Sequence, residues 1–245
     1  TLADDPNDAN ALRLQGELVW GEGDLYQAID KFRRAYELAP ESQMVCQRLS
    51  EALLEGLRLD YPAYRAQSEL LEKVLADGPQ RLELVRLHVD GALAMGELDR
   101  AWERVHELAQ DQRDRSFSIT RDHVVVADRW LAARVGQIWS GADSALRERM
   151  TREIAESTAT SPGADNLAQL SCLVRSFGLV PPGAVARLEL ARQYQRQGRL
   201  AEAEATLLRS DHGRQTSDTP LWVEQQQLMG QLCGRFSDPA SPVTD

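Results

Sequence analysis

Apolar and small residues recur along this chain at helical spacing, in blocks that glycine and proline separate. In the block from 9 to 40, Leu12, Gly16, Ala28, Phe32 and Ala35 take inward positions, Gly23 turns the chain midway and Pro40 closes it. From Gln43, Leu49, Ala52 and Leu53 share one face. The stretch from Gly56 through Tyr61-Pro62 then reads as a long turn, an insertion of about five residues. A helix carrying Leu70, Leu71, Val74 and Leu75 follows and ends at Asp77-Gly78-Pro79. The block from 82 to 110 has Val85, Leu98, Ala101, Trp102, Val105 and Leu108 inward, and that from 184 to 213 has Leu190, Ala191, Tyr194, Leu200, Ala203 and Leu207. Between them the pattern predicts helices near 117–138, 142–159 and 165–178, with one turn at Ser161-Pro162-Gly163. After Thr219-Pro220 a last amphipathic helix is expected, and residues 237–245 read as a flexible tail. Alternating apolar and polar runs are lacking, so the expected class is all-α, helical nearly throughout.

One phrase occurs three times: Gly23-Asp24-Leu25-x-x-Ala28, Gly96-Glu97-Leu98-x-x-Ala101 and Gly198-Arg199-Leu200-x-x-Ala203. Glycine reverses the chain, leucine packs behind the turn, and alanine lets two helix axes approach within about 8–10 Å. Ala28, Ala101 and Ala203 are therefore expected at buried crossings between paired helices.

Residues 9–40, with Leu12, Gly16, Gly23, Ala28, Phe32, Ala35 and Pro40 at fixed spacing, resemble a tetratricopeptide repeat, whose period is about 34 residues. Gln15 and Val19 depart from that pattern. The resemblance implies an α-solenoid, a right-handed superhelix of antiparallel helix pairs over residues 1–236. Clear repeats would be 9–40, 43–79, 82–110 and 184–213, with degenerate ones over 116–182. Pro6 precedes Pro40 by one such period, so the chain is expected to be a segment of a longer array. By the same reasoning it should be monomeric or weakly dimeric, associating through an uncapped end near Leu2 and Leu12.

Charge narrows the partners. A formal net charge of -10 and a pI near 5.0 argue against nucleic acid or an anionic membrane surface. No apolar run is long enough to span a membrane, and the opening residues carry no targeting pattern, which leaves the cellular compartment open. Lys31 and Lys73 are the only lysines among 28 basic residues, which points to a GC-rich genome, as in many bacteria. Cys46, Cys172 and Cys233 are too scattered for a metal knuckle or a disulfide framework and read as core residues.

No catalytic motif is visible: there is no nucleophile elbow, P-loop, dinucleotide fingerprint or zinc-protease pair. His88, His106, His123 and His212 are scattered and read as helix-surface or capping residues, so no metal or cofactor is expected. In the resembling family, the first helix of each repeat lines a concave groove. Carried over, the groove positions are Arg13, Glu17 and Trp20; Gln47, Glu51 and Leu54; Arg86, Asp90 and Leu93; and Arg192, Gln195 and Arg196. Trp20 would be the aromatic anchor. Glu17, Glu51 and Asp90 stand where chaperone-tail binders of that family carry asparagine, and three acids would repel a terminal carboxylate. A row of acids also predicts an N-terminal half that takes basic or polar ligands and a late repeat that prefers acidic ones. Trp102, Trp130, Trp139 and Trp222 read as packing residues.

The resemblance thus implies a non-catalytic protein-interaction scaffold with protein or peptide ligands, a part of a larger bacterial protein. Two alternatives stay open: a regulatory or substrate-recruiting region of a larger enzyme, and a small-ligand or sugar-binding solenoid.

Overall fold

The computed structural model describes residues 8–75, 79–110, 116–120, 123–159, 167–208, 224 and 227–232. The expected turns at 77–79 and 161–163 fall at least partly outside these residues, as do Leu2, His212, Trp222, Cys233 and the tail. The chain divides into two compact units, Thr1–Gly96 and Glu97–Asp245. That division falls inside the glycine turn of block 82–110.

The first unit begins with α1 (Ala9–Gly21), capped by Asp8, whose carboxylate accepts the N–H groups of Asn10 at 2.8 Å and Ala11 at 3.3 Å. Gly23 ends α1 with φ of +93°, a conformation that costs a side-chain-bearing residue dearly. Its N–H bonds the Trp20 carbonyl at 2.9 Å and that of Asp24 bonds Val19 at 3.1 Å, the paired closure of a Schellman turn. Asp24 then caps α2 (Leu25–Leu38) through the Gln27 N–H at 3.0 Å, so the reversal takes very few residues. The two helices pack closely, and α3 (Gln43–Leu59) lies against both. Their core joins Leu25, Ala28, Ile29 and Phe32 of α2 to Leu49, Ala52, Leu53 and Leu54 of α3. Leu12, expected at an open end face, is buried with Ala35 and Val45.

The expected long turn after Gly56 is not a turn. Helix α3 runs on to Leu59, because Gly56 is a buried contact point: a Cβ there would lie 2.7 Å from the Tyr64 ring. Asp60 ends α3 and at once caps the short α4 (Tyr61–Tyr64) through Ala63 N–H at 3.1 Å. A 3-10 turn (Arg65–Gln67) leads into α5 (Ser68–Val74). In α6 (Pro79–Ala94), Gly91 admits the Tyr61 ring, which would stand 2.2 Å from a Cβ, and Tyr61 Oη bonds His88 Nδ1 at 3.0 Å. His88 is therefore a buried packing residue and not a surface one.

The second unit departs from the all-α expectation. After α7 (Leu98–Gln110), residues 116–126 do not start a helix: β1 (Ser116–Thr120) and β2 (His123–Val126) form an antiparallel hairpin with a register shift between Ser118 and Thr120. The reason is legible in Ile119, Thr120, Val124, Val125 and Val126, whose β-branched side chains favour extended backbone. Helix starts only at α8 (Ala127–Gly141), followed by α9 (Ser144–Ala159) and α10 (Leu167–Phe177), close to the expected spans. Helix α7 packs on α8, α9 and α10, burying Ala101, Trp102 and Val105 completely. Helices α11 (Gly183–Arg196) and α12 (Leu200–Leu208) form a second pair about Gly198, with φ of +75°. Gly198 N–H bonds Gln195 and Arg199 N–H bonds Tyr194, the same closure as at Gly23. Leu188, Ala191, Ala203 and Leu207 form the core of this pair, which Leu228 and Leu232 complete. Arg187, also buried, gives a guanidinium N–H to the Gly178 carbonyl at the end of α10.

The fold is thus helical with one two-stranded hairpin among the described residues, and most helices adjacent in sequence pack within each unit, while α8 packs on α10. Ala28, Ala101 and Ala203 are all fully buried. Cys172 is buried as expected, whereas Cys46 is half-exposed, its thiol directed to the Pro40 carbonyl at 3.2 Å.

Candidate functional site

Helical spacing aligns Arg13, Glu17 and Trp20 along one side of α1, and Gln47 and Glu51 along one side of the neighbouring α3. Their four charged or amide groups meet through a residue outside the expected set, Arg48. Arg13 donates to Glu17 Oε1 at 2.6 Å and to Asn10 Oδ1 at 2.8 Å. The same Glu17 oxygen receives Arg48 Nε at 2.9 Å from across the interhelical gap. Arg48 Nη1 reaches Glu51 Oε2 at 2.8 Å, and the other Glu51 oxygen accepts the Gln47 amide at 2.8 Å. The two carboxylates raise the Arg48 pKa further by hydrogen bonding, Glu51 foremost and then Glu17. The result is one ladder, Asn10–Arg13–Glu17–Arg48–Glu51–Gln47, spanning α1 and α3.

A second ladder joins α3 to α6. Arg58 donates to Glu83 at 2.7 Å, Glu83 faces Arg86 at 3.7 Å, and Arg86 reaches Asp90 at 3.3 Å. Sequence reasoning found Arg86 and Asp90 but missed Arg58 and Glu83, which pair over 25 residues of chain. His88 and Gly91, where Tyr61 docks, lie on the opposite side of α6 from Arg86 and Asp90 by helical periodicity.

Each acid of the expected row has an arginine beside it. Glu17 and Glu51 are balanced by Arg13 and Arg48, and Glu83 and Asp90 by Arg58 and Arg86. No bare acidic row remains at contact range. The pairs made by the half-exposed Arg48 and Arg58 are worth about 0.2–1 kcal/mol each, so the main consequence of the ladders is that these carboxylates are paired.

Trp20 is half-buried. Its ring meets Phe32 edge-on, with centroids 5.9 Å apart, and packs on the core of the first unit. Leu54 is buried in that core and lines nothing, while Leu93 is half-buried. Arg192 and Arg196 belong to the second unit, on the same helix α11 as Gln195, and cluster around Glu189 at 3.7 and 3.6 Å. Arg192 also pairs with Glu224. Their charge too is met by carboxylates. Trp102 and Trp130 are buried, as packing residues should be, and half-exposed Trp139 carries the Arg147 guanidinium 5.6 Å above its ring.

Among the described residues, no group of three or more His, Cys, Asp or Glu side chains is arranged to hold a metal ion, and no helix is long and apolar enough to cross a membrane. Comparison with known proteins finds no family model that matches this chain and no curated protein that matches it.

Proposed function

We propose that this chain is a non-catalytic interaction scaffold built from tetratricopeptide-like helix pairs, which receives a protein or peptide segment across the first helices α1, α3 and α6. The observation that carries this reading is the pair of ladders, which ranges polar side chains of three successive first helices on neighbouring surfaces. A charge-paired, densely hydrogen-bonded face favours an extended segment that exchanges hydrogen bonds over one that brings a strong charge. The exposed part of Trp20, one turn beyond Glu17, supplies an apolar contact at one end. The glycine-turned pairs about Gly23 and Gly198 and the fully buried alanines support the repeat-like construction. Membership of a larger bacterial assembly belongs to the same proposal.

The test is a peptide-array screen followed by fluorescence polarisation with the best peptides. Arg48→Ala and Gln47→Ala should weaken binding about tenfold or more, whereas Arg33→Ala, which removes an exposed pair with Asp30 on α2, should leave it unchanged. Equal losses at Arg33 and Arg48, or losses at Arg33 alone, would place the binding face elsewhere.

A further inference from the structure

Three helices of the second unit converge on one imidazole. The His106 ring of α7 stacks on Trp102 with centroids 5.3 Å apart and lies 6.2 Å from the Phe177 ring of α10. From α9, Ser157 Oγ stands 3.2 Å from His106 Nε2. Ser157 gives its own hydroxyl proton to the Glu153 carbonyl at 2.8 Å, so towards His106 it accepts, and the neutral ring carries its proton on Nε2. The Nδ1 edge then faces Glu153 Oε2 at 3.9 Å. That oxygen is already engaged: it accepts the Trp102 indole N–H at 2.6 Å.

We propose that His106 is a pH-operated latch, whose neutral ring holds α9 against α7 and α10 and whose protonated ring loosens that packing. A proton added at Nδ1 makes a donor 3.9 Å from the oxygen that anchors Trp102, too far for a hydrogen bond, so closing that gap requires Glu153 Oε2 to shift from its place on the indole. The new charge also lies against the Trp102 and Phe177 rings, which are themselves 5.7 Å apart, where partial burial leaves it less water than it has in the unfolded chain. Burial accordingly pushes the His106 pKa below its ordinary value, against the opposing pull of Glu153 and Glu156. Several other charged groups on the surrounding helices have partners of their own. On α9, Arg149 reaches Asp99 at 3.0 Å, Glu103 at 3.8 Å and Glu153 at 3.9 Å. Glu107, next to His106 on α7, faces Arg104. Arg175 of α10 pairs with Asp128 of α8 at 3.0 Å, and Arg187 of α11 caps the Gly178 carbonyl.

The experiment is an NMR titration of the intact chain from about pH 7.5 to about pH 5, a window in which histidine titrates and most other groups do not. It follows the His106 ring protons, the Trp102 indole N–H and the α9 amides. The latch requires a His106 midpoint below the ordinary value of about 6.5, with Trp102 and α9 moving at that same midpoint. Glu153→Gln keeps an acceptor for Trp102 but removes the charge, and should lower the midpoint further. His106→Gln should leave the Trp102 resonance flat across the window; should it not fold, the Glu153→Gln series decides alone. A midpoint at or above the ordinary value, an unresponsive Trp102 while His106 titrates, or no downward shift in Glu153→Gln would overturn the proposal.

Discussion

Gly16 on α1 lies directly against the ring of Phe32 on α2: a Cβ at Gly16 would stand 2.6 Å from Phe32 Cε1 and 2.9 Å from Cδ1. Phe32 is fully buried and its ring is braced by the edge of Trp20, so it has no room to retreat. Gly16→Ala should therefore force the pair apart and cost about 1–3 kcal/mol, despite alanine's higher helix propensity. Urea denaturation measures it, and a neutral or stabilising result would show that the contact is slack.

Two other glycines should respond with opposite signs. Gly198 has φ of +75° and a Cβ there would touch nothing, so Gly198→Ala meets backbone strain alone and should destabilise by about 1–2 kcal/mol. Gly136 lies within α8 with equally open space around it and no such backbone conformation, so Gly136→Ala should stabilise by about 0.5–1 kcal/mol. Thermal melts of the two variants side by side check both signs.

Arg48 and Glu17 are 31 residues apart in the chain and 2.9 Å apart in space. Because Arg48 is 44% exposed, solvent screens the pair, and a double-mutant cycle on Arg48→Ala and Glu17→Ala should give a coupling below about 1 kcal/mol. A larger coupling would mean that the ladder is a structural element of the unit as much as a binding face.

Stability should fall as the solution is acidified through the histidine range. The folded pKa of His106 lies below its unfolded value, so above the unfolded value of about 6.5 both states are neutral and the residue contributes no pH dependence. Below it the unfolded chain takes up a proton first, and stability drops until the folded ring is protonated too. His106→Gln should flatten the melting temperature across that interval compared with the parent chain. An unchanged slope would assign the dependence to other groups.

Much of the helical framework was legible in residue order alone. Gly23, Gly96 and Gly198 all adopt positive φ, with values of 93°, 74° and 75°, because a glycine one step past a helix end is a local backbone solution that needs no distant partner. Ala28 and Ala203 are buried for a reason almost as local, their fixed spacing from those turns, whereas Ala101 is buried by the packing of α7 on α8, α9 and α10. The expected helix near 117–138 begins only at Ala127, because the β-branched run before it favours the extended backbone of the hairpin.

Only the tertiary structure decided what depends on partners far apart in the chain. Gly56 looks like a breaker in sequence and is a helix-interior contact for Tyr64; His88 looks like a surface histidine and is buried beneath Tyr61. Arg13 with Glu17 and Arg86 with Asp90 could be read as pairs from their i,i+4 spacing, but nothing local announces that Arg48 reaches Glu17 or that Arg58 reaches Glu83. Those two arginines turn an expected acidic row into a neutral ladder. Turns and caps follow from the backbone preferences of a few adjacent residues, whereas the charge of a face is a sum over every side chain that packing brings to it, and packing is settled by the whole unit.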